Sequence, residues 1–173
     1  MKLTRTIAFV AALALPSFAF AEEEEDKPVK FDELPAPVAK AIKEAAGDAK
    51  LGKIVLGDED GTAAYEAVWK ADGHQHEIAV AKDGKVLSLE EIITLAEAPE
   101  AVRAAITKEA GDHQVIEVEK VLEKGKTHYE ATIKKGKGKG KEAVSFSEDG
   151  KVLERENPDA EKGEKDGKKE KKD

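Results

Sequence analysis

The sequence predicts an α+β fold with two tandem repeats, each a short helix packed on a small antiparallel β-sheet, set between disordered termini. Three observations lead there. A helical segment that begins at Ala41 returns at Ala105, strand-like alternation follows in both copies, and the charged ends of the chain hold too little apolar surface for a core. Ala41-Ile42-Lys43-Glu44-Ala45-Ala46-Gly47-Asp48 matches Ala105-Ile106-Thr107-Lys108-Glu109-Ala110-Gly111-Asp112, an offset of 64 residues. Pro35, Val38, Gly61 and Tyr65-Glu66-Ala67 recur at that offset as Pro99, Val102, Gly125 and Tyr129-Glu130-Ala131. Lys82-Asp83-Gly84-Lys85-Val86-Leu87 returns as Glu148-Asp149-Gly150-Lys151-Val152-Leu153 at an offset of 66, so two residues are inserted in the Gly/Lys stretch of the second copy.

The first 21 residues are expected to be an address. Lys2 and Arg5 precede an apolar run from Ile7 to Leu15, and Ala19-Phe20-Ala21 supplies the small-x-small site, so cleavage is placed after Ala21. Pro16 interrupts a run shorter than the roughly 20 residues that a membrane span needs, which argues against an anchor. Residues 22–30 open with Glu22 to Glu25 and Asp26, a self-repelling acidic leader. Repeat 1 covers residues 31–92 and repeat 2 covers residues 93–156. Residues 157–173 are Lys, Glu, Asp and Gly with Asn157, Pro158 and Ala160, a composition that predicts a disordered charged tail.

Within each repeat a proline marks the helix start and Gly47 or Gly111 the stop. Val38 and Ile42, like Val102 and Ile106, share a helix face. Such short helices are marginal alone and need a sheet to cover. Tyr65, Ala67 and Trp69 then alternate with Glu66, Val68 and Lys70, and Tyr129, Ala131 and Ile133 keep the same parity. Ile78 and Val80 match Val144 and Phe146 as the inner face of the next strand. Asp72-Gly73, Asp83-Gly84 and Asp149-Gly150 are turn signals, and short final strands are expected at Val86 to Leu89 and Val152 to Glu154.

Leu34-Pro35-x-x-Val38-x-x-Ala41-Ile42, then Tyr65 to Ala67, then Asp83 to Leu87, with their second copies, together resemble the PepSY-like domains, including the group compared with beta-lactamase inhibitor protein. The resemblance spans Phe31 to Glu156 and lies in the order and repetition of short motifs. It implies a secreted helix-on-sheet module, often in tandem, associated with peptidase inhibition or ligand binding, and no catalytic residues.

Composition narrows the functional classes. The 173 residues include 29 Lys+Arg against 37 Asp+Glu, for a net charge of −8, and this acidity argues against a nucleic-acid binder. No Cys is present, which removes disulfides, Cys-ligated metals and thiol nucleophiles. Only 5% of residues are aromatic, so a large enzyme core is not expected. No serine nucleophile elbow, phosphate loop or His-Glu-x-x-His motif occurs.

Several residues are candidates for binding. His74 and His76 lie two apart at a strand start and would face one side, an incomplete metal pair to which His113 or His128 would add only if the sheets meet. Asp58, Asp60 and Gly61 imitate a calcium loop, but its first and twelfth positions fall on Leu56 and Ala67, which rejects an EF-hand. Lys134, Lys135, Lys137, Lys139 and Lys141, interleaved with glycines, predict a basic hairpin, of which Lys135, Lys137 and Lys139 are the partner-docking candidates. It lacks the aromatics that single-stranded nucleic acid would stack on. Trp69 would anchor an interface if exposed, while its parity with Ala67 favours core packing. Glu66 and Glu130 recur on the opposite face, where acid–base catalysis would need a concavity that a small open sheet offers poorly.

The sequence thus predicts a periplasmic or extracellular protein of a bacterial envelope, non-enzymatic, without a cofactor and without stable membrane insertion once the signal is removed. Its expected partner is a protein or peptide, with a peptidase as the partner the resemblance implies. The alternative is a periplasmic metal-binding or sensing protein that uses His74, His76 and the acidic leader.

Overall fold

Proline and glycine set the ends of both helices. In the computed structural model, which describes residues 27–59, 62–135 and 140–156, α1 (Ala36–Ala46) follows Pro35 and α2 (Glu100–Ala110) follows Pro99. Each stops at a glycine with positive φ, 58° at Gly47 and 55° at Gly111, where a Cβ is costly. The amide N–H groups of these glycines donate to the carbonyls of Lys43 and Thr107 at 3.0 Å. Val38, Ile42 and Ala46 in α1, and Val102, Ile106 and Ala110 in α2, form the buried stripes. Their spacing of four residues puts each set on one face.

The strands are β1 (Lys27–Pro28), β2 (Leu51–Glu59), β3 (Thr62–Ala71), β4 (His74–Ala81), β5 (Val86–Ile93), β6 (Val115–Glu123), β7 (Lys126–Lys134), β8 (Lys141–Ser147) and β9 (Val152–Glu156). They run in the order β1 to β9 in one nine-stranded antiparallel sheet, with two α-helices among the described residues. This corrects the expectation of two tandem repeats, each a short helix packed on a small antiparallel sheet. The alternation at Tyr65 and Tyr129 predicts β3 and β7 but not the strands before them. In β2 the register shifts between Leu51 and Ile54, and in β6 between Val115 and Glu117, which breaks the period-two pattern.

The chain divides into two compact units between Ser88 and Leu89. In the first, α1 contacts β3 and β4, and Ala67, Trp69, Ile78 and Val80 are buried along those strands. In the second, the α2 stripe packs on Val118, Tyr129, Ala131, Ile133, Val144 and Phe146. The turns after β4 and β8 sit close against the helix starts. A Cβ on Gly84 would lie 2.7 Å from that of Pro37, and one on Gly150 would lie 2.5 Å from the carbonyl oxygen of Ala101.

The signal segment with its cleavage site at Ala21, the acidic run from Glu22 to Asp26 and the charged tail at residues 157–173 lie outside the described residues, as do Asp60 and Gly61. Lys27 and Pro28, assigned by sequence to the leader, pair with Leu56 and Val55 as β1.

Candidate functional site

Strand alternation in the second unit separates two faces of different chemistry. Tyr129, Ala131 and Ile133 of β7 join the α2 core, which sends His128, Glu130 and Thr132 to the other side. From β8, Ser145 stands directly opposite Glu130 in the ladder and Ser147 opposite His128. From β6, Val121 opposes His128 and Glu119 opposes Glu130. From β9, Glu154 opposes Ser145. A face this polar is nonetheless tightly packed at its centre, because His128 is 7% exposed, Glu130 8% and Ser145 9%.

Burying a carboxylate requires donors close by. Glu130 Oε1 accepts a hydrogen bond from Ser145 Oγ at 3.1 Å and lies 3.0 Å from His128 Nε2. With a proton on Nε2 the imidazole donates to the same oxygen. The carboxylate is thus the hub of the cluster. In a serine nucleophile relay the imidazole takes that middle place, so this arrangement is of a different kind. On the same face Glu117, opposite Thr132, has its carboxyl pKa raised by burial, an effect that the Lys141 charge partly offsets.

The first unit keeps the glutamate and changes its surroundings. Glu66, 4% exposed, stands opposite Ala79 in the β3–β4 ladder, where Glu130 faces Ser145. Ala64 occupies the position that corresponds to His128. The sequence marks both glutamates as recurrent, and the spacing of two puts His128 and Glu130 on one side. Ser145 is the residue that sequence reasoning misses, since only the register across the Lys/Gly hairpin brings it to Glu130. Sequence reasoning groups His128 with His113 instead; His113 is exposed in the turn after α2, and its amide bonds to the Ala110 carbonyl at 2.9 Å.

The other predicted residues fall elsewhere. Trp69 is 5% exposed and its indole stacks on the His76 ring, with centroids 5.4 Å apart and planes 10° from parallel. His76 Nε2 lies 3.3 Å from the carbonyl oxygen of Ala71. His74 pairs with Ala71 and His76 with Trp69 in the ladder, so the two imidazoles share a face as the spacing predicts. Among the described residues no group of three or more His, Cys, Asp or Glu is placed to hold a metal ion. Lys135 Nζ forms an ion pair with Glu142 at 2.7 Å, and its amide N–H donates to the Gly140 carbonyl at 2.8 Å. Lys137 and Lys139 lie outside the described residues. Among the described residues no helix is long and apolar enough to cross a membrane.

No protein-family model matches the chain, and no curated protein matches it. Solved structures do. A protein of Bacteroides eggerthii inferred to be periplasmic is similar at 24% identity with a TM-score of 0.62, over 72% of this chain and 88% of that one. A DUF2874 family protein from Bacteroides uniformis has 20% identity and a TM-score of 0.62, over 71% of this chain and 88% of its own. A BLIP-like protein from Bacteroides fragilis has 21% identity and a TM-score of 0.59, over 72% and 86%. At these identities the likeness shows the fold, and fold alone does not fix activity.

Proposed function

We propose that this chain is a non-enzymatic binding protein of the bacterial periplasm or exterior, of PepSY-like kind, that docks a protein or peptide partner on the sheet face of its second unit. The observation that carries this reading is the face itself. α2 packs on one side of β7 and β8, and His128, Glu130, Thr132 and Ser145 lie on the other, with the exposed Glu154 beside them. Glu117, Glu119 and Glu154 surround this centre with carboxylates. Peptidase inhibition is the activity that the sequence resemblance implies, and likeness to a BLIP-like solved structure agrees with it at the level of fold. The export signal read at Ala21 and the inferred periplasmic setting of the Bacteroides eggerthii neighbour support the location.

Site-specific photocrosslinking tests the docking face. A benzophenone side chain replaces Glu154, exposed on this face, or Lys108, exposed on α2, and the chain is irradiated in its native envelope extract. Adducts from the Glu154 position alone are expected, and any peptidase among them is assayed with and without the protein. Adducts from Lys108 alone, or from neither position, overturn the reading.

A further inference from the structure

β9, with the sequence Val152-Leu153-Glu154-Arg155-Glu156, ends the strand order, and among the described residues β8 is its one neighbour. Such an edge turns N–H and C=O groups outward, where the edge of another chain can pair with them. Val152 is 36% exposed and Leu153 59%, so apolar surface that would favour this pairing is present as well. The strand is not regular, however. Ala143, Val144 and Ser145 face Glu156, Arg155 and Glu154 in turn, but Phe146 faces Val152, which makes Leu153 an extra residue on β9.

The position of that residue matters for the open edge. The Ser147 N–H donates to the Lys151 carbonyl at 2.9 Å and closes the hairpin. Along an antiparallel ladder, residues bonded to the partner strand alternate with residues whose polar groups point away from it. Val152 therefore points its N–H and C=O away from β8, and beyond the extra residue Arg155, opposite Val144, does the same. A bulge bends its strand and increases the local twist. Here the bend falls between the two outward-pointing residues, so a straight incoming strand that bonds at one is turned away from the other. The bulge is also pinned on both sides. The hairpin bond holds it before Val152, and beyond it Arg155 donates from Nε and Nη2 to the two carboxylate oxygens of Glu109 on α2, at 3.1 and 3.0 Å. Slipping the strand by one residue would turn Arg155 to the opposite face and break that pair.

We propose that the Leu153 bulge is a guard that keeps the open edge of β9 from pairing with the same edge of a second copy of this chain. Two such edges, related by a two-fold axis, would run antiparallel and close into a dimer. Deleting Leu153 removes the bend and leaves the other pairs between β8 and β9, and the Arg155–Glu109 contact, on the faces they already occupy. The guard stands apart from the docking reading above, since it concerns backbone groups at the edge and not side chains on the face.

The test is sedimentation of the chain from Glu22 onward across a range of concentrations, with far-UV circular dichroism to verify folding. The variant that lacks Leu153 is expected to rise to about twice the wild-type mass as concentration increases. Leu153→Ala, which keeps the extra residue and removes its apolar side chain, is expected to sediment as wild type. Val152→Pro in the deletion background takes away an outward N–H without touching the ladder and is expected to restore the wild-type mass. A folded deletion variant that keeps the wild-type mass, or an association that survives Val152→Pro, overturns the proposal. Hydrogen exchange of the wild type decides the matter even if the deletion variant does not fold. The Val152 and Arg155 amides are expected to exchange at rates independent of protein concentration, and protection of both that grows with concentration would show the edge pairing in spite of the bulge. None of these outcomes bears on the crosslinking result, so the two readings fall separately.

Discussion

Replacing Gly150 with alanine separates a backbone effect from a packing effect, because Gly125 provides a matched control in the same unit. Gly150 has φ of 78° and Gly125 has φ of 74°, so alanine meets nearly the same left-handed strain at both, about 1–2 kcal/mol. Their surroundings differ. Around Gly125 nothing lies within 4 Å of an added Cβ, whereas at Gly150 it would stand 2.5 Å from the Ala101 oxygen and 2.9 Å from the Ala101 carbonyl carbon. Those atoms belong to the first turn of α2 and cannot rotate aside as a flexible side chain would, so either the turn or the helix start must shift. Overpacking of this kind costs roughly 1–3 kcal/mol beyond the backbone term. Urea unfolding of the two variants beside the wild type measures the difference. With a slope of about 1–3 kcal/mol per molar, an extra 2 kcal/mol lowers the midpoint of Gly150→Ala by roughly 1 M relative to Gly125→Ala. Equal midpoints for the two variants would refute the claim that the turn after β8 seats the start of α2.

Other expectations follow from single contacts. Phe146 is fully buried, so Phe146→Ala costs about 3–5 kcal/mol in urea unfolding, while Leu153→Ala, at a residue 59% exposed, stays within about 0.5 kcal/mol of wild type. Asp149 has its pKa held down to about 2 by its bond with Lys151 and then by that with Ser147, and the bond from Arg155 lowers that of Glu109. Carboxyls depressed in the folded state stabilise it above their unfolded values and lose that contribution as pH falls through the folded ones, so stability declines from about pH 4 toward pH 2. Acid titration of thermal stability is expected to show a shallower decline in Asp149→Asn and in Glu109→Gln. His76→Ala uncovers one face of the sole tryptophan and moves its fluorescence to longer wavelength, while His74→Ala leaves the emission maximum in place; identical spectra for His76→Ala and wild type would contradict the stack with Trp69.

The helices were legible because their signals are local. Pro35 and Pro99, Gly47 and Gly111, and apolar residues four apart act over a single turn, and the 64-residue offset repeats them. The alternation of β3 and β7 was equally direct. β2 and β6 were not legible, since a shifted register hides strand periodicity, and with them went the number of strands and the single nine-stranded sheet. The same division holds at the candidate site. Spacing of two places His128 beside Glu130 on one face, and duplication singles out Glu66 and Glu130. It gives no hint that Ser145, fifteen residues beyond Glu130, completes the cluster.

By itself the amino-acid order determined where helices start and stop, which strand positions turn toward them, and that the chain is acidic, free of cysteine and internally duplicated. These follow from steric limits and side-chain periodicity within a few residues. Only the tertiary structure decided how the strands join, that Trp69 stacks on His76, and that one of two equivalent glutamates gathers a histidine and a serine. Those outcomes depend on ladder register and on which edges find partners, and backbone hydrogen bonding sets both across distances that no local pattern spans.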